Sequence, residues 1–266
     1  MTLAVAAPPW LVMWGLAFAI YAVLKWWSWR HRRIAAAPTW RHAGYLLAWP
    51  GMDPDAFLDV RRSAAPPSLR EWLFAVVKML AGIGIVSVVP PLSFPPPITG
   101  WLGMAGIVFA LHFGLFHVLS CGWRTVGVCA VPIMNWPILS DSVAEFWGRR
   151  WNLAFRDLSY RFVFRPLVPH MGATWAMLAG FLVSGIVHDV VITIPAGGGW
   201  GSPTAYFLLQ GFAVLCEHSR LGHALGLGRG AIGRLFAAAV LIVPTTLLFP
   251  RVFVCEVIVP FLNVTH

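Results

Sequence analysis

The apolar runs of this chain are long enough to cross a bilayer, and they narrow its fold more than any other feature. Six are read, at about 9–29, 71–89, 100–120, 171–194, 203–216 (short) and 231–249. About 20 apolar residues in a helix cross a hydrocarbon core roughly 30 Å thick. Lipid offers backbone N–H and C=O groups no partners, so each run must satisfy its own as a helix. Charged residues make up 11% of the chain, less than half of the roughly 25% usual in soluble domains. The expected fold is all-α and polytopic: one integral-membrane domain over residues 1–266, with about six transmembrane helices. Interfacial and re-entrant helices are expected around an intramembrane cavity. The first run has no basic segment ahead of it and a basic cluster behind it, so it reads as a retained anchor rather than a cleaved signal.

The net charge of +9 suggests nucleic acid as a partner, but its distribution argues against that. Most of the 19 Lys and Arg fall in three segments: seven in 30–70, six in 121–170 and three in 218–234. The loops 90–99 and 196–202 carry none. With six spans the basic segments share one side, which the positive-inside rule makes cytoplasmic, and both termini face outward. Such a face also meets anionic lipid headgroups.

The connections have character of their own. Residues 39–59 are amphipathic and aromatic, suited to lying in the interface plane. Residues 90–97 hold five prolines and cannot be regular helix. Residues 131–137 are too apolar for a solvated loop and too proline-rich for a span, so a broken segment lining a cavity is expected. Ser142 followed by Glu145 reads as a capping box. One or two interfacial helices are expected from there to about Phe164, ended by Pro166 and Pro169. Cys121, Cys129, Cys216 and Cys255 have no metal-finger spacing and read as small packing residues.

Two places carry the chemistry. Inside the fourth run lies Ser184-Gly-Ile-Val-His188-Asp189. Ionisable groups at membrane depth cost free energy and usually mark a site or a pathway. A neutral histidine there can accept a hydroxyl proton, with the Ser184 hydroxyl one turn away to orient it or to bind the same substrate. A histidine merely bonded to a neighbouring helix is the structural alternative. Asp189 sits about 100° around the helix, with Gln210, Glu217 and His218 as candidate partners. Upstream lies Glu145-Phe-Trp-Gly-Arg-Arg-Trp-Asn152. Asn152 can donate to a developing oxyanion, and Arg149 and Arg150 can bind phosphate. A helix gripping headgroups with Arg and Trp fits the same residues. His112 with His117, and His218 with His223, are spaced five apart, which does not match helical metal ligands, and no metal is expected.

At these residues the chain resembles the membrane-bound O-acyltransferase superfamily, in its wax-synthase-like branch. Three stretches carry the likeness: Tyr45-Leu-Leu-Ala-Trp-Pro-Gly-Met-Asp53, Glu145-Phe-Trp-Gly-Arg-Arg-Trp-Asn152 and Ser184-Gly-Ile-Val-His188-Asp189. It extends over roughly residues 40 to 220. The resemblance implies transfer of an acyl group from acyl-CoA, as substrate rather than cofactor, to a hydroxyl on a lipid. His188 corresponds to the family's intramembrane histidine, the general base, and Asn152 to its upstream asparagine. Substrate contacts are then expected from Arg149, Arg150, Trp147, Trp151, Ser184, Asp189, Gln210 and Glu217. Donor and acceptor lipids are the implied partners, with the donor site on the cytoplasmic side. A transporter using His188 as a proton relay and an inactive lipid-binding scaffold are the other classes. The transporter does not account for the Arg-Arg-Trp-Asn cluster, and an activity measurement is what separates the scaffold.

Overall fold

The structure, a computed structural model, describes residues 7–34 and 36–264. It is helical throughout, with no strand among the described residues. Both chain ends, expected to face outward, include residues outside that range. Helix α1 (Pro9–Arg30) leads to the short helices α2 (Thr39–Ala48) and α3 (Pro54–Leu58) and then to α4 (Leu69–Val88). Helix α5 (Pro96–Val108) passes through a π-helical stretch, Phe109–Leu115, into α6 (Phe116–Thr125). A single turn, α7 (Val143–Glu145), continues into a π turn at Phe146–Arg150. Helix α8 (Leu153–Ser159) runs through a second π turn at Tyr160–Phe164 into α9 (Arg165–Ala196). Then follow α10 (Ser202–His218), α11 (Arg220–Leu225), α12 (Gly230–Ile242), α13 (Thr245–Leu248), α14 (Arg251–Phe253) and α15 (Val259–Val264).

Among the described residues, five helical stretches are long and apolar enough to cross a membrane: Pro9–Arg30, Leu69–Leu92, Pro96–Thr125, Leu153–Ala196 and Gly230–Leu248. The sixth expected run, already the shortest, is one residue below that length as a helix. The short run at 203–216 forms α10, whose 17 residues rise about 26 Å. One face is covered by protein, with Tyr206, Phe207, Gln210, Val214 and Glu217 buried, while Leu209 and Phe212 on the other face are exposed. Helix α10 therefore keeps its polar groups, Gln210 and Glu217, on the protein-facing side and an apolar stripe on the other. The spans themselves leave Phe18, Val23, Val77, Leu80 and Leu235 exposed, as lipid-facing side chains should be.

Pro166 and Pro169 do not end the interfacial helix, as the sequence suggests they should. Pro166 sits in the first turn of α9, where a missing N–H is tolerated, directly after a π turn. The break comes instead at Gly172, with φ 77° and ψ 167°, a backbone state that glycine adopts without strain. Residues 126–136 lack regular helix, as their prolines and apolar character predict. Val131, Pro132 and Ile133 line a small cavity of about 90 Å³ together with Trp49 and Asp53.

Three packed cores hold the elements. One joins α2 and α3 to the irregular segment and α8, through Tyr45, Phe57, Val128, Ile133 and Leu158. The aromatic face of 39–59 is thus buried against protein, with Tyr45 and Phe57 wholly inaccessible. A second joins α1 and α5 to the last helices through Met13, Met104, Phe253 and Leu262. The third, Val143, Ala213, Val214 and Ala237, ties α7 to α10 and α12.

Several charged groups inside the spans have protein partners. Lys25 is almost fully buried, donates to the Gly51 carbonyl, and lies 3.4 Å from the centre of the Tyr45 ring. The Arg124 guanidinium grips both oxygens of Glu71. Lys78 Nζ can only donate, so its 2.8 Å contact makes His117 Nδ1 the acceptor. His117 Nε2 then donates to Glu71 at 3.1 Å. Glu71, His117 and Cys121 bring their donor atoms within 4.8 Å of one another. Two cations already occupy that cluster.

Helices α9 and α10 cross closely. A Cβ on Gly185 would lie 2.6 Å from the Thr204 Cα, a distance no side chain can occupy. Gly185→Val should therefore force these helices apart at a cost of about 1–3 kcal/mol, as overpacked cores do. Thermal unfolding of the purified protein in detergent checks this. An unchanged midpoint would mean the crossing is looser than described.

Candidate active site

Two segments meet at α10: the α9 stretch with His188, and the α7 turn with the aromatic motif. His188 Nδ1 lies 2.7 Å from the Ser184 carbonyl. A carbonyl oxygen only accepts, so Nδ1 carries the proton. A neutral His188 then presents an unprotonated Nε2. The ring is partly exposed, and it lies 4.5 Å, centre to centre, from the buried ring of Phe207 on α10.

The Ser184 hydroxyl does not orient the imidazole, contrary to the sequence expectation. It donates to the Gly180 carbonyl at 2.8 Å. A buried serine in a helix finds its nearest acceptor one turn back, and the backbone carbonyl of the same residue holds the histidine.

Asp189 also differs from expectation. Its partners are not Gln210, Glu217 or His218 but the start of α10. One oxygen accepts from Gly201 N at 2.9 Å. The other accepts from Thr204 N at 3.1 Å and from the Thr204 hydroxyl. The carboxylate therefore caps a neighbouring helix, where orphan N–H groups and the helix dipole both favour an anion.

Gln210 and Glu217 hold the other segment. Gln210, fully buried, donates to the Val240 carbonyl at 3.0 Å and accepts from Trp147 Nε1 at 3.4 Å. Glu217 accepts from Val143 N at 2.6 Å and Ala144 N at 3.0 Å, capping α7. Ser142 Oγ accepts from Glu145 N at 2.9 Å, the first half of the expected capping box. The return bond is shifted by one residue: Glu145 accepts from Asp141 N at 2.8 Å rather than from Ser142.

The motif turn is π-helical, and Trp151 N reaches back five residues to the Phe146 carbonyl at 2.8 Å. Such turns put an extra residue into a helix and recur at functional sites. Here the turn separates the side chains. Trp147 contacts Phe207 at 5.4 Å and Phe181 at 6.2 Å. Trp151 stacks on Phe146 and on His112, with ring planes 13° and 14° apart. Rings thus run without a gap from His112 through Trp151, Phe146, Trp147 and Phe207 to His188.

Asn152 follows with φ 41° and ψ 62°, the left-handed region that asparagine tolerates better than most residues. Its Oδ1 accepts from Phe155 N at 3.2 Å and caps α8. That leaves the amide hydrogens for another acceptor. Arg150 pairs with Glu145 at 2.7 Å and donates to the carbonyls of Asn135 and Trp136. The exposed Arg149 side chain makes no such bond among the described residues.

Phe207 gives no sign in the sequence, being one phenylalanine in an apolar helix. The role of His112 is equally hidden, since only the fold sets its ring on Trp151.

The capping geometry makes a prediction. Asp189→Ala should destabilise the protein by about 1–3 kcal/mol, since it removes a charged cap. Asp189→Asn should lose less, because one acceptor oxygen remains. Equal unfolding midpoints for wild type and Asp189→Ala would refute the clasp.

Comparison with known proteins bears on the same residues. Residues 130–209 match the model of the membrane bound O-acyl transferase family, and that stretch contains Asn152, His188 and Asp189. A long-chain-alcohol O-fatty-acyltransferase of Simmondsia chinensis is 36% identical over 103 residues, covering 35% of this chain and 29% of that protein. A probable long-chain-alcohol O-fatty-acyltransferase 8 of Arabidopsis thaliana is 31% identical over 158 residues, covering 56% of this chain and 47% of that protein. The match thus spans less than half the length of either relative. The resemblance read from the sequence is borne out as a similarity: residues 130–209 match the membrane bound O-acyl transferase family, and the chain is similar to these long-chain-alcohol O-fatty-acyltransferases.

Proposed function

We propose that this protein transfers a fatty acyl group from acyl-CoA to the hydroxyl of a long-chain alcohol, with His188 as general base. The observation that carries the reading is the His188 tautomer. Nδ1–H is spent on the Ser184 carbonyl, so the free Nε2 lone pair can take the hydroxyl proton. The relatives named as long-chain-alcohol O-fatty-acyltransferases support this acceptor class and an acyl donor.

In this reading the alcohol oxygen attacks the thioester carbonyl as Nε2 accepts its proton. A C–O bond forms, and the carbonyl electrons move onto oxygen. The Asn152 amide donates to that oxyanion, an interaction that strengthens as charge develops. Collapse re-forms the C=O and breaks the C–S bond. The imidazolium returns its proton to the leaving thiolate, and ester and free CoA depart. No acyl group is held by the protein. Asp189 is a positioning residue: by holding α10 against α9 it keeps Phe207 against the His188 ring. Apolar walls suit long substrate chains, at about 0.8 kcal/mol per buried CH₂.

His188→Ala should lower alcohol acylation by about 10²–10⁴-fold, the usual contribution of a general base, while the purified protein keeps its unfolding midpoint. The assay measures wax ester and free CoA from acyl-CoA and a long-chain alcohol. Retention of more than about half the wild-type rate would remove His188 from this role.

The donor side is proposed to be cytoplasmic, following the basic segments. Single cysteines at positions 150 and 199 in a cysteine-free background should label from the cytoplasm and from outside, respectively. Labelling of position 150 from outside alone would invert the topology.

A further inference from the structure

At the far end of α10 from Asp189 lies an open cavity of about 310 Å³, with His218, His223 and Arg229 exposed at the surface. Its walls are the start of α7, the end of α10, α11 and the loop before α12, with Ser142, Glu217, His218, His223 and Arg229 among its lining. We propose that this cavity binds a phosphate group.

The donor inventory argues for an anion. The Glu217 carboxylate lines the cavity, but its oxygens are taken by the N–H groups of Val143 and Ala144. Ser142 Oγ is engaged with Glu145 N. Asp141, just outside, is paired with Arg234 at 2.7 Å. The Arg229 guanidinium has no hydrogen bond or ion pair among the described residues. His218 Nδ1 donates to the Val214 carbonyl at 2.8 Å, which leaves Nε2 uncommitted. The His223 ring stands 6.5 Å from that of His218 and has no hydrogen bond of its own among the described residues. The cavity thus holds one permanent cation and two imidazoles without protein partners, beside a carboxylate whose oxygens are taken by backbone N–H groups.

A metal ion fits less well. Among the described residues the one donor cluster close enough to share an ion is Glu71, His117 and Cys121, elsewhere in the fold. A planar guanidinium, in contrast, matches two phosphate oxygens at once. The volume is at the lower end for ligand sites, suited to a phosphate and its linkage rather than a whole nucleotide.

Position adds a second argument. Phe207 touches His188, and Glu217 lies ten residues farther along α10, about 15 Å at 1.5 Å per residue. CoA carries its phosphates an extended pantetheine arm away from the thioester sulfur. A phospholipid headgroup offers the same chemistry from the membrane surface. The nucleotide source rests on the acyl-CoA reading above, whereas the phosphate site does not.

The test uses the purified full chain in phosphatidylcholine nanodiscs. Calorimetry measures binding of CoA and of adenosine 3′,5′-bisphosphate, which has phosphates but no thioester arm. Native mass spectrometry measures retention of added phosphatidylglycerol. For a nucleotide source, Arg229→Gln should weaken both nucleotides about tenfold or more, the scale of one charge-assisted contact. His188→Ala should leave that affinity unchanged, so failure of the catalytic reading is separable. For a headgroup source, Arg229→Gln should instead reduce retained phosphatidylglycerol. Arg220→Gln, outside the cavity lining, should alter neither. Unfolding midpoints confirm that the variants are folded. If Arg229→Gln and the double variant His218→Gln/His223→Gln leave nucleotide affinity and lipid retention at wild-type values, the site is overturned.

Discussion

The clasp between Asp189 and the first turn of α10 holds the molecule in register. A helix start inside a membrane protein has N–H groups that lipid cannot satisfy. Asp189 satisfies two of them and the Thr204 hydroxyl as well. At Gly185, one turn earlier on the same helix, nothing wider than hydrogen fits against Thr204. Charge and shape thus fix α10 against α9 at adjoining points. His188 lies between them, and the contact of its ring with Phe207 follows from the crossing.

The same economy of polar groups recurs along α10. Gln210 and Glu217 each tie this helix to the α7 turn, one through the Trp147 indole and one through two backbone N–H groups. The aromatic motif is therefore held by groups that sequence reading assigned to substrate. Buried polar side chains with good partners are costly to disturb and specify one arrangement. Lys25 and Glu71 follow the same rule in α1 and α4. Charge inside this protein is largely spent on geometry, and His188 Nε2 and the Asn152 amide are left for chemistry.

Much of this was legible before any coordinates. Apolar run length predicts the spans, because bilayer thickness sets a length that composition alone can meet. The two segments around Asn152 and His188 stand out because polar groups at membrane depth need a reason. Partner choice was not legible. The sequence points Asp189 to polar residues on the next helix, yet its partners are the orphan N–H groups at that helix's start. Backbone donors have no letter in a sequence. The π turns were hidden for a related reason: they follow from packing and leave no residue signature.

The hydrogen bond from His188 to the Ser184 carbonyl bears on how this site can change over evolutionary time. The acceptor belongs to the main chain, and every residue at position 184 supplies one. Codon changes there alter packing but cannot abolish the group that selects the imidazole tautomer. The basic nitrogen of His188 is therefore insulated from drift at its own supporting position. In a site where a side chain did this work, one substitution could silence the base. Here the helix itself would have to be broken.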